Sequence, residues 1–494
     1  MMIWGAVTLL WEVRPFWVDE WRIIYNLKFK SEEELWGKLA FMQQFPRLYL
    51  SLLKLFTAKL HYSYFSLRLP SFLIGTAAMW GVYRLAGKVY EPNNYNRFLL
   101  VLMLVSCGTF TEYFVQIKQY TMDLFLSVCV LWQLVYLQQA GTGERKNVLG
   151  YLLFCAGFLI APFFSYTYSI AVAPVYVVVL VQNLLQWHKG ADMKHRSGAI
   201  LRQWLPLFLC TFSITVFYLK DAYQLGADAD MKAYWAHLMM QNGFEPDKFL
   251  ENVFHLFAQA GAGFLYWWLF GVLGCAAFVY AVFTILKKLK AGFGELPDML
   301  LLYAVLLPIL IMVLYVAGKL PVGEPRLNAF AVPALSVLLI HLLTAMSNGK
   351  AGKVSAVLSL VLMLGLAGNI FSTIIASFTD SKYARRMDIY RHTQAAIIEA
   401  EAQKIPVLIT SGVAYPYDNT RNLPFDNTVP GDWVLMTFPA YDATNNVPVY
   451  AIDSMTRLNG YLEQLPANVT SVMVGDGLQY RIVKVPRQAL PLQE

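Results

Sequence analysis

Two adjacent carboxylates, Asp19 and Glu20, stand in the stretch "RPFWVDEWRIIYNL" (residues 14–27), directly after the first apolar run of the chain, with Arg22 two residues further on. Two other stretches mix charge with apolar sequence. "TEYFVQIKQYTMD" holds Glu112, Lys118 and Asp123, and "GKLPVGEPRLNAF" holds Glu324 and Arg326. An ionisable group inside a bilayer costs roughly 2.5–3.5 kcal/mol at the helix centre, so function is the default explanation for one that persists there. Near a helix end the cost falls because long side chains snorkel, and a single such charge is more often an anchor or part of a local ion pair. Here all three clusters fall on one side of the membrane, which shifts the balance. Paired carboxylates and several cations on one face suit one reaction type: a carboxylate takes the proton of an acceptor hydroxyl while fixed cations hold a phosphate leaving group.

The elements that must position these groups are membrane helices. The 494 residues are 57% hydrophobic and 14% charged, with a mean hydropathy of +0.46, which excludes an ordinary soluble protein. A spanning helix needs about 20 mostly apolar residues. Such windows centre near residues 75, 107, 130, 156, 175, 211, 273, 308, 336 and 365, and residues 2–13 add a short one, giving about eleven spans. The first lacks the basic n-region and small-residue cleavage site of a signal peptide, so it reads as a tilted span or as a chain whose true start lies upstream. If the spans alternate, Arg84, Lys88, Arg97, Arg145, Lys146, Lys189, Lys194, Arg196, Arg202, Lys287, Lys288, Lys290, Lys350 and Lys353 all fall on the cytoplasmic side. Residues 14–68, the Lys118 turn, residues 219–258, residues 318–327 and everything after about 378 are then extracytoplasmic. Segment 14–68 is itself basic, but it is long and also acidic.

The net charge of +7 therefore reflects topology, and no basic groove for nucleic acid forms. Segment 28–62 reads as interfacial helices: Ser31 caps "EEEL", apolar residues recur through Leu35, Leu39 and Met42, and Pro46 opens "RLYLSLLKLF". Residues 219–258 form a large external loop. From residue 380 to 494 the composition shifts to a small α/β domain: a polar helical stretch, strand-like "IPVLITS", "DWVLMTF", "VTSVMVG" and "YRIVKV", and a helix "SMTRLNGYLEQL". The domains are thus a transmembrane catalytic unit, 1–379, and a soluble extracytoplasmic unit, 380–494.

Five stretches, in order over residues 1 to about 380, resemble the GT-C superfamily of lipid-linked sugar transferases, in particular the branch with protein O-mannosyltransferases and the lipid A aminoarabinose transferase. They are "VDEWR" with the family's Asp-Glu pair, "QQFPRLYLSLLKLF", "SLRLPSFLIGTAAMWGVYRLAGKVY", "EYFVQIKQYTMDLF" and "PVGEPRLNAFAVP". The resemblance implies an all-α, GT-C-like polytopic enzyme that moves a sugar from a polyprenyl-phosphate donor to an acceptor hydroxyl or phosphate, with inversion. The acceptor is a lipid, glycan or protein. Asp19 becomes the general base and Glu20 its electrostatic support. Lys118 and Arg326 become partners of the donor phosphate, with Arg47 a weaker candidate and Arg22 and Glu324 beside them. Many members carry Lys-Pro-Pro or His-Pro-Pro where this chain reads "QFPR", which leaves Gln44 or Arg47 as the substitute.

No cofactor is expected, and nothing in the sequence indicates a divalent metal. Asp228 and Asp230 have Asp-x-Asp spacing, but a solvated loop explains that common pattern better. No two His residues have ligand spacing; His237 and His255 read as surface or interface residues. The five cysteines fall inside spans as small apolar residues. Asn468–Thr470 is a sequon that matters only where secreted proteins are glycosylated. The rival reading is a multi-span lipid or glycan transporter or flippase. Such proteins place charge near the midplane and repeat their halves, whereas this chain has interfacial helices and an external domain instead.

Overall fold

The computed structural model describes residues 2–11, 20, 23–24, 26–27, 30–39, 43–60, 62–89, 94–142, 148–188, 193–222, 238–240, 244–259, 267–322, 324–347, 351–379 and four strands between 407 and 486. It divides into two compact units: Met1–Gly5, Gln44–Leu52 and Arg68–Thr373 in the first, and Ala6–Gln43, Leu53–Leu67 and Ile374–Glu494 in the second.

The helices, in chain order, are α1 (Met2–Trp11), α2 (Glu32–Leu35), α3 (Arg47–Ala58), α4 (Tyr64–Val89), α5 (Asn94–Ser106), α6 (Gly108–Tyr113), α7 (Tyr120–Thr142), α8 (Val148–Ile160), α9 (Tyr168–His188), α10 (Met193–Phe217), α11 (Pro246–Ala258), α12 (Trp267–Ala291), α13 (Leu296–Val316), α14 (Val332–Ser347) and α15 (Gly352–Thr379). A 3₁₀ turn, Pro325–Ala331, leads into α14. The described parts of the eleven apolar windows are helical, apart from a break at Cys107. Seven helices among the described residues are long and apolar enough to cross a bilayer; they contain α7, α9, α10, α12, α13, α14 and α15. The other four depart for local reasons. Helix α4 is long enough but carries Arg68, Arg84 and Lys88, the window near 107 breaks at Cys107 between α5 and α6, and α1 and α8 are short.

Within the first unit α7 is the central helix: 78% of its apolar window is buried, against 28% for α15. It packs on α9, α10 and the Pro325–Ala331 turn, while α13 and α14 pack on each other and on α9 and α5 respectively. Polar side chains join these helices where backbones meet. Gln133 and Tyr168 bond across α7 and α9 at 2.8 Å, and Gln203 donates to Leu137 O at 2.9 Å.

In the second unit Ser31 caps α2 through a complete capping box with Glu34, as its sequence predicts. The helix ends after one turn, however, at Trp36 and Gly37, where the sequence pattern extended it to Met42. Glycine costs about 1 kcal/mol in a helix interior, enough to end a short helix with no tertiary support. Four strands form one sheet in the order β1 (Val407–Ile409), β2 (Pro448–Ser454), β4 (Tyr480–Pro486), β3 (Val472–Gly477); β1 and β2 are parallel and the other pairs antiparallel. The register of β3 on β4 shifts between Met473 and Gly475. Strand β2 has no counterpart in the sequence reading, while "DWVLMTF", the helices at 381–404 and 454–465, and most of residues 223–243 lie outside the described residues.

Candidate functional site

The turn between α6 and α7 carries Lys118, and it is held from three directions. Ser71 on α4 donates to Gln116 O at 2.6 Å, Thr121 donates to Tyr113 O at 2.8 Å, and Gln119 Nε2 donates to Gln44 O at 3.4 Å. Phe114 seals the underside. Its ring lies where a Cβ on Gly75 would come within 2.5 Å, so only glycine allows α4 this close. Lys118 is buried as a result.

The second cation-bearing segment is the Pro325–Ala331 turn. Asn328, wholly buried, donates its amide to three carbonyls, Pro321 O (2.8 Å), Val322 O (3.3 Å) and Glu324 O (3.3 Å). Ser127 on α7 donates to Phe330 O at 2.5 Å. These bonds fix the loop that presents Arg326. The Arg326 guanidinium pairs with Glu324 at 3.2 Å, with Tyr113 and Tyr120 as its electrostatic neighbours. Tyr113 and Tyr120 meet edge to face, ring centroids 4.6 Å apart. The Lys118 turn and the Arg326 loop therefore share one wall, since Tyr113 and Tyr120 bracket the turn.

Arg47 opens α3 immediately after Pro46 and is also buried. Its guanidinium donates to Phe45 O at 3.4 Å, and Tyr166 donates to the same carbonyl at 3.0 Å. Phe45 and Tyr49 stack at 5.3 Å. Because Gln119 reaches Gln44 O, the segment carrying Gln44 and Arg47 is tied to the Lys118 turn. Three cations named from the sequence, Arg47, Lys118 and Arg326, thus belong to one assembly in the first unit. Glu324 joins them as the partner of Arg326.

Of two buried groups here, Arg68 escaped the sequence reading and Asp123 entered it only as one more interfacial charge. Asp123, in the first turn of α7, accepts from Ser165 at 2.5 Å, Ser165 in turn meets Thr167 at 3.0 Å, and Tyr49 lies beside Asp123. Burial pushes the Tyr49 phenol above the usual range. Arg68, one turn before Ser71 on α4, is the bulkiest wholly buried side chain among the described residues. A lone acid and a lone arginine in apolar helices are the signals that could have singled them out.

Glu20 is 1% exposed and belongs to the second unit, while Asp19 and Arg22 lie outside the described residues. Asp228, Asp230 and His237 lie outside them too. His255 stacks on Trp267 at 5.4 Å and pairs with Glu251 at 3.5 Å, a surface role. Among the described residues no three His, Cys, Asp or Glu side chains group as metal ligands, and all five cysteines are free.

An apolar cavity of about 570 Å³ lies between α11 and α13. Phe249, Val253 and Phe257 recur one helical turn apart along α11 and face Ile309, Met312 and Val316 of α13. Helix α11 is seated on α12, where Cβ atoms on Gly271 and Gly274 would meet Phe254 at 2.4 Å and Phe257 at 2.8 Å. Its link to α13 is a bond from Asn252 to the Tyr315 hydroxyl at 2.9 Å. The lining of the cavity is wholly apolar, and α13 continues in sequence through Gly318 to the loop that carries Arg326.

Seven helices long and apolar enough to cross a bilayer define a multi-span membrane protein. No protein-family model matches the chain, and no curated protein does. Two crystal structures share its fold. ArnT from Cupriavidus metallidurans bound to undecaprenyl phosphate superposes with a TM-score of 0.53 and 11% identity, over 99% of this chain and 97% of that one. The same protein in the apo state gives 0.51 and 12%, over 100% and 98%. At such identity the likeness establishes the fold, and it is the fold the sequence motifs implied.

Proposed function

We propose that this chain is an integral-membrane glycosyltransferase that moves a sugar from a polyprenyl-phosphate donor to an acceptor hydroxyl or phosphate. The observation that carries the reading is the joining of the segments that bear Arg47, Lys118 and Arg326: Gln119 reaches Gln44 O, and the Pro325–Ala331 turn packs on α7. Cations preorganised in a site of low dielectric stabilise the charge that develops on a leaving phosphate. The apolar cavity supplies what a lipid-borne phosphate requires, and ArnT, which shares the fold, has been crystallised with undecaprenyl phosphate.

In the proposed reaction the acceptor oxygen attacks the anomeric carbon as the bond from that carbon to the phosphate oxygen breaks. Asp19 takes the acceptor's proton, Glu20 supports it electrostatically, and the configuration inverts. The phosphate leaves on its lipid, its charge met by the cationic side chains and by no required metal. The site is proposed to face the extracytoplasmic side, within about eleven spans, with residues 380–494 forming an α/β domain on that side.

Membranes containing the protein, incubated with a panel of radiolabelled polyprenyl-phosphate sugars, test this. Label should pass to one acceptor class, lipid, glycan or protein, and should do so in the presence of a chelator. Label retained in every donor would overturn the reading, and transfer lost on chelation would overturn its metal-free form.

A further inference from the structure

We propose that the end of α4 remote from the Lys118 turn is a docking surface for an anionic phospholipid, whose phosphate is held by Arg84 and Lys88 beside a set of aromatic rings. The proposal is independent of the glycosyltransferase reading, because it concerns the other face of the membrane.

Helix α4 itself places the surface. Its Ser71 touches the Lys118 turn, and Lys88 stands 17 residues further along the same helix. At 1.5 Å per residue that is about 25 Å, close to the thickness of a hydrocarbon core. The two cations therefore meet the leaflet opposite the candidate site, which the sequence reading makes the cytoplasmic one. Anionic lipids in that leaflet attract basic side chains.

The position of their charges separates this pair from ordinary snorkelling cations. Trp80, Arg84 and Lys88 recur every fourth residue and share one face of α4. The Arg84 guanidinium stands 5.5 Å from the centroid of the Trp80 ring, and Lys88 Nζ stands 5.8 Å from that of Trp132 on α7. Both lie within cation–π range. The Trp132 ring is fixed against α4, since its Nε1 donates to Gly81 O at 3.0 Å. Among the described residues no carboxylate pairs with Arg84 or Lys88. An aromatic face orients a cation without cancelling its charge, so two positive charges remain one helical turn apart.

The exposed rings beside them name the occupant. Trp80 is 60% exposed and Tyr83 46%, with ring centroids 6.1 Å apart. Such rings favour the headgroup level of a bilayer. A molecule that meets both features needs a phosphate for the cations and apolar chains for the rings. An anionic glycerophospholipid has the two side by side, whereas inorganic phosphate has only the first.

The test titrates purified full-length protein in neutral detergent with phosphatidylglycerol and counts bound lipid by native mass spectrometry, with phosphatidylcholine as the control. Wild-type protein should retain phosphatidylglycerol in preference, and excess inorganic phosphate should not displace it. Arg84→Gln and Lys88→Gln should each weaken retention about fivefold. Trp80→Leu keeps the charge and the apolar bulk, yet should weaken it about two- to fivefold, with the unfolding midpoint unchanged. Trp132→Leu should act in the same direction. Equal retention of the two lipids would overturn the proposal. So would loss in the Arg84 and Lys88 variants with none in Trp80→Leu, which would leave the cations as topological anchors. Displacement by inorganic phosphate would make the surface a free-anion site and would equally contradict a lipid.

Discussion

Ser165 donates its hydroxyl to Oδ1 of Asp123 at 2.5 Å, joining residues 42 positions apart in sequence and closing the base of the Lys118 turn. Ser165 Oγ also lies 3.0 Å from Thr167 Oγ1 and accepts the Tyr168 amide at 3.1 Å. A buried carboxylate is thereby matched at the start of two helices, α7 and α9.

Ser165→Ala should lower stability by about 1–3 kcal/mol, the cost of leaving a buried polar group short of a partner. Thermal unfolding in detergent measures it, and Ser165→Thr, which keeps the hydroxyl, should be milder. An unchanged midpoint for the alanine variant would show that Asp123 is satisfied without Ser165.

Asn328 donates to three carbonyls of the loop bearing Arg326. Asn328→Asp keeps the shape but turns the donor into an acceptor facing three acceptors. It should raise the donor KM by about tenfold or more, while the acceptor KM stays put. Loss of acceptor binding alone would mean that the loop serves the other substrate.

Much of this architecture was legible because it is local. Pro46 marks the start of α3, Ser31 and Glu34 announce their cap, conspicuous charges led to Lys118 and Arg326, and the family resemblance led to Arg47. Strands β3 and β4 lie in runs of alternating β-branched residues. Strand β2 does not read as a strand, because "PVYAIDS" begins with proline and contains an aspartate; proline is tolerated at a strand's first residue. Asp123 was visible only as one more interfacial charge, since the partner that explains it lies in a loop 42 residues away. Tyr113 and Asn328 are neutral and common, and only tertiary structure distinguishes them from other tyrosines and asparagines.

Lys118→Ala and Arg326→Ala should each weaken donor binding and turnover. Loss of a preorganised donor to developing charge costs about 2.7–4 kcal/mol, which is 10²–10³ in rate. Wild-type transfer by both variants would reduce them to interfacial anchors.

Sidedness can be read by single-cysteine labelling with an impermeant reagent in a cysteine-free background. Residues 219–258 and 380–494 should label in intact cells, and residues 140–147 and 187–203 only after permeabilisation. Labelling of a residue in 380–494 only after permeabilisation would contradict the extracytoplasmic site.

The most direct measurement compares wild-type and Asp19→Asn protein, both purified, in undecaprenyl-phosphate binding and in sugar transfer. The amide has nearly the shape of the carboxylate but cannot take the acceptor's proton, and a positioned base contributes about 10²–10⁴ in rate. The account predicts unchanged lipid-phosphate binding with transfer lowered by that factor, and a smaller loss for Glu20→Gln. Near-normal transfer by Asp19→Asn would contradict it, leaving the carboxylate pair as an anchor of the first span.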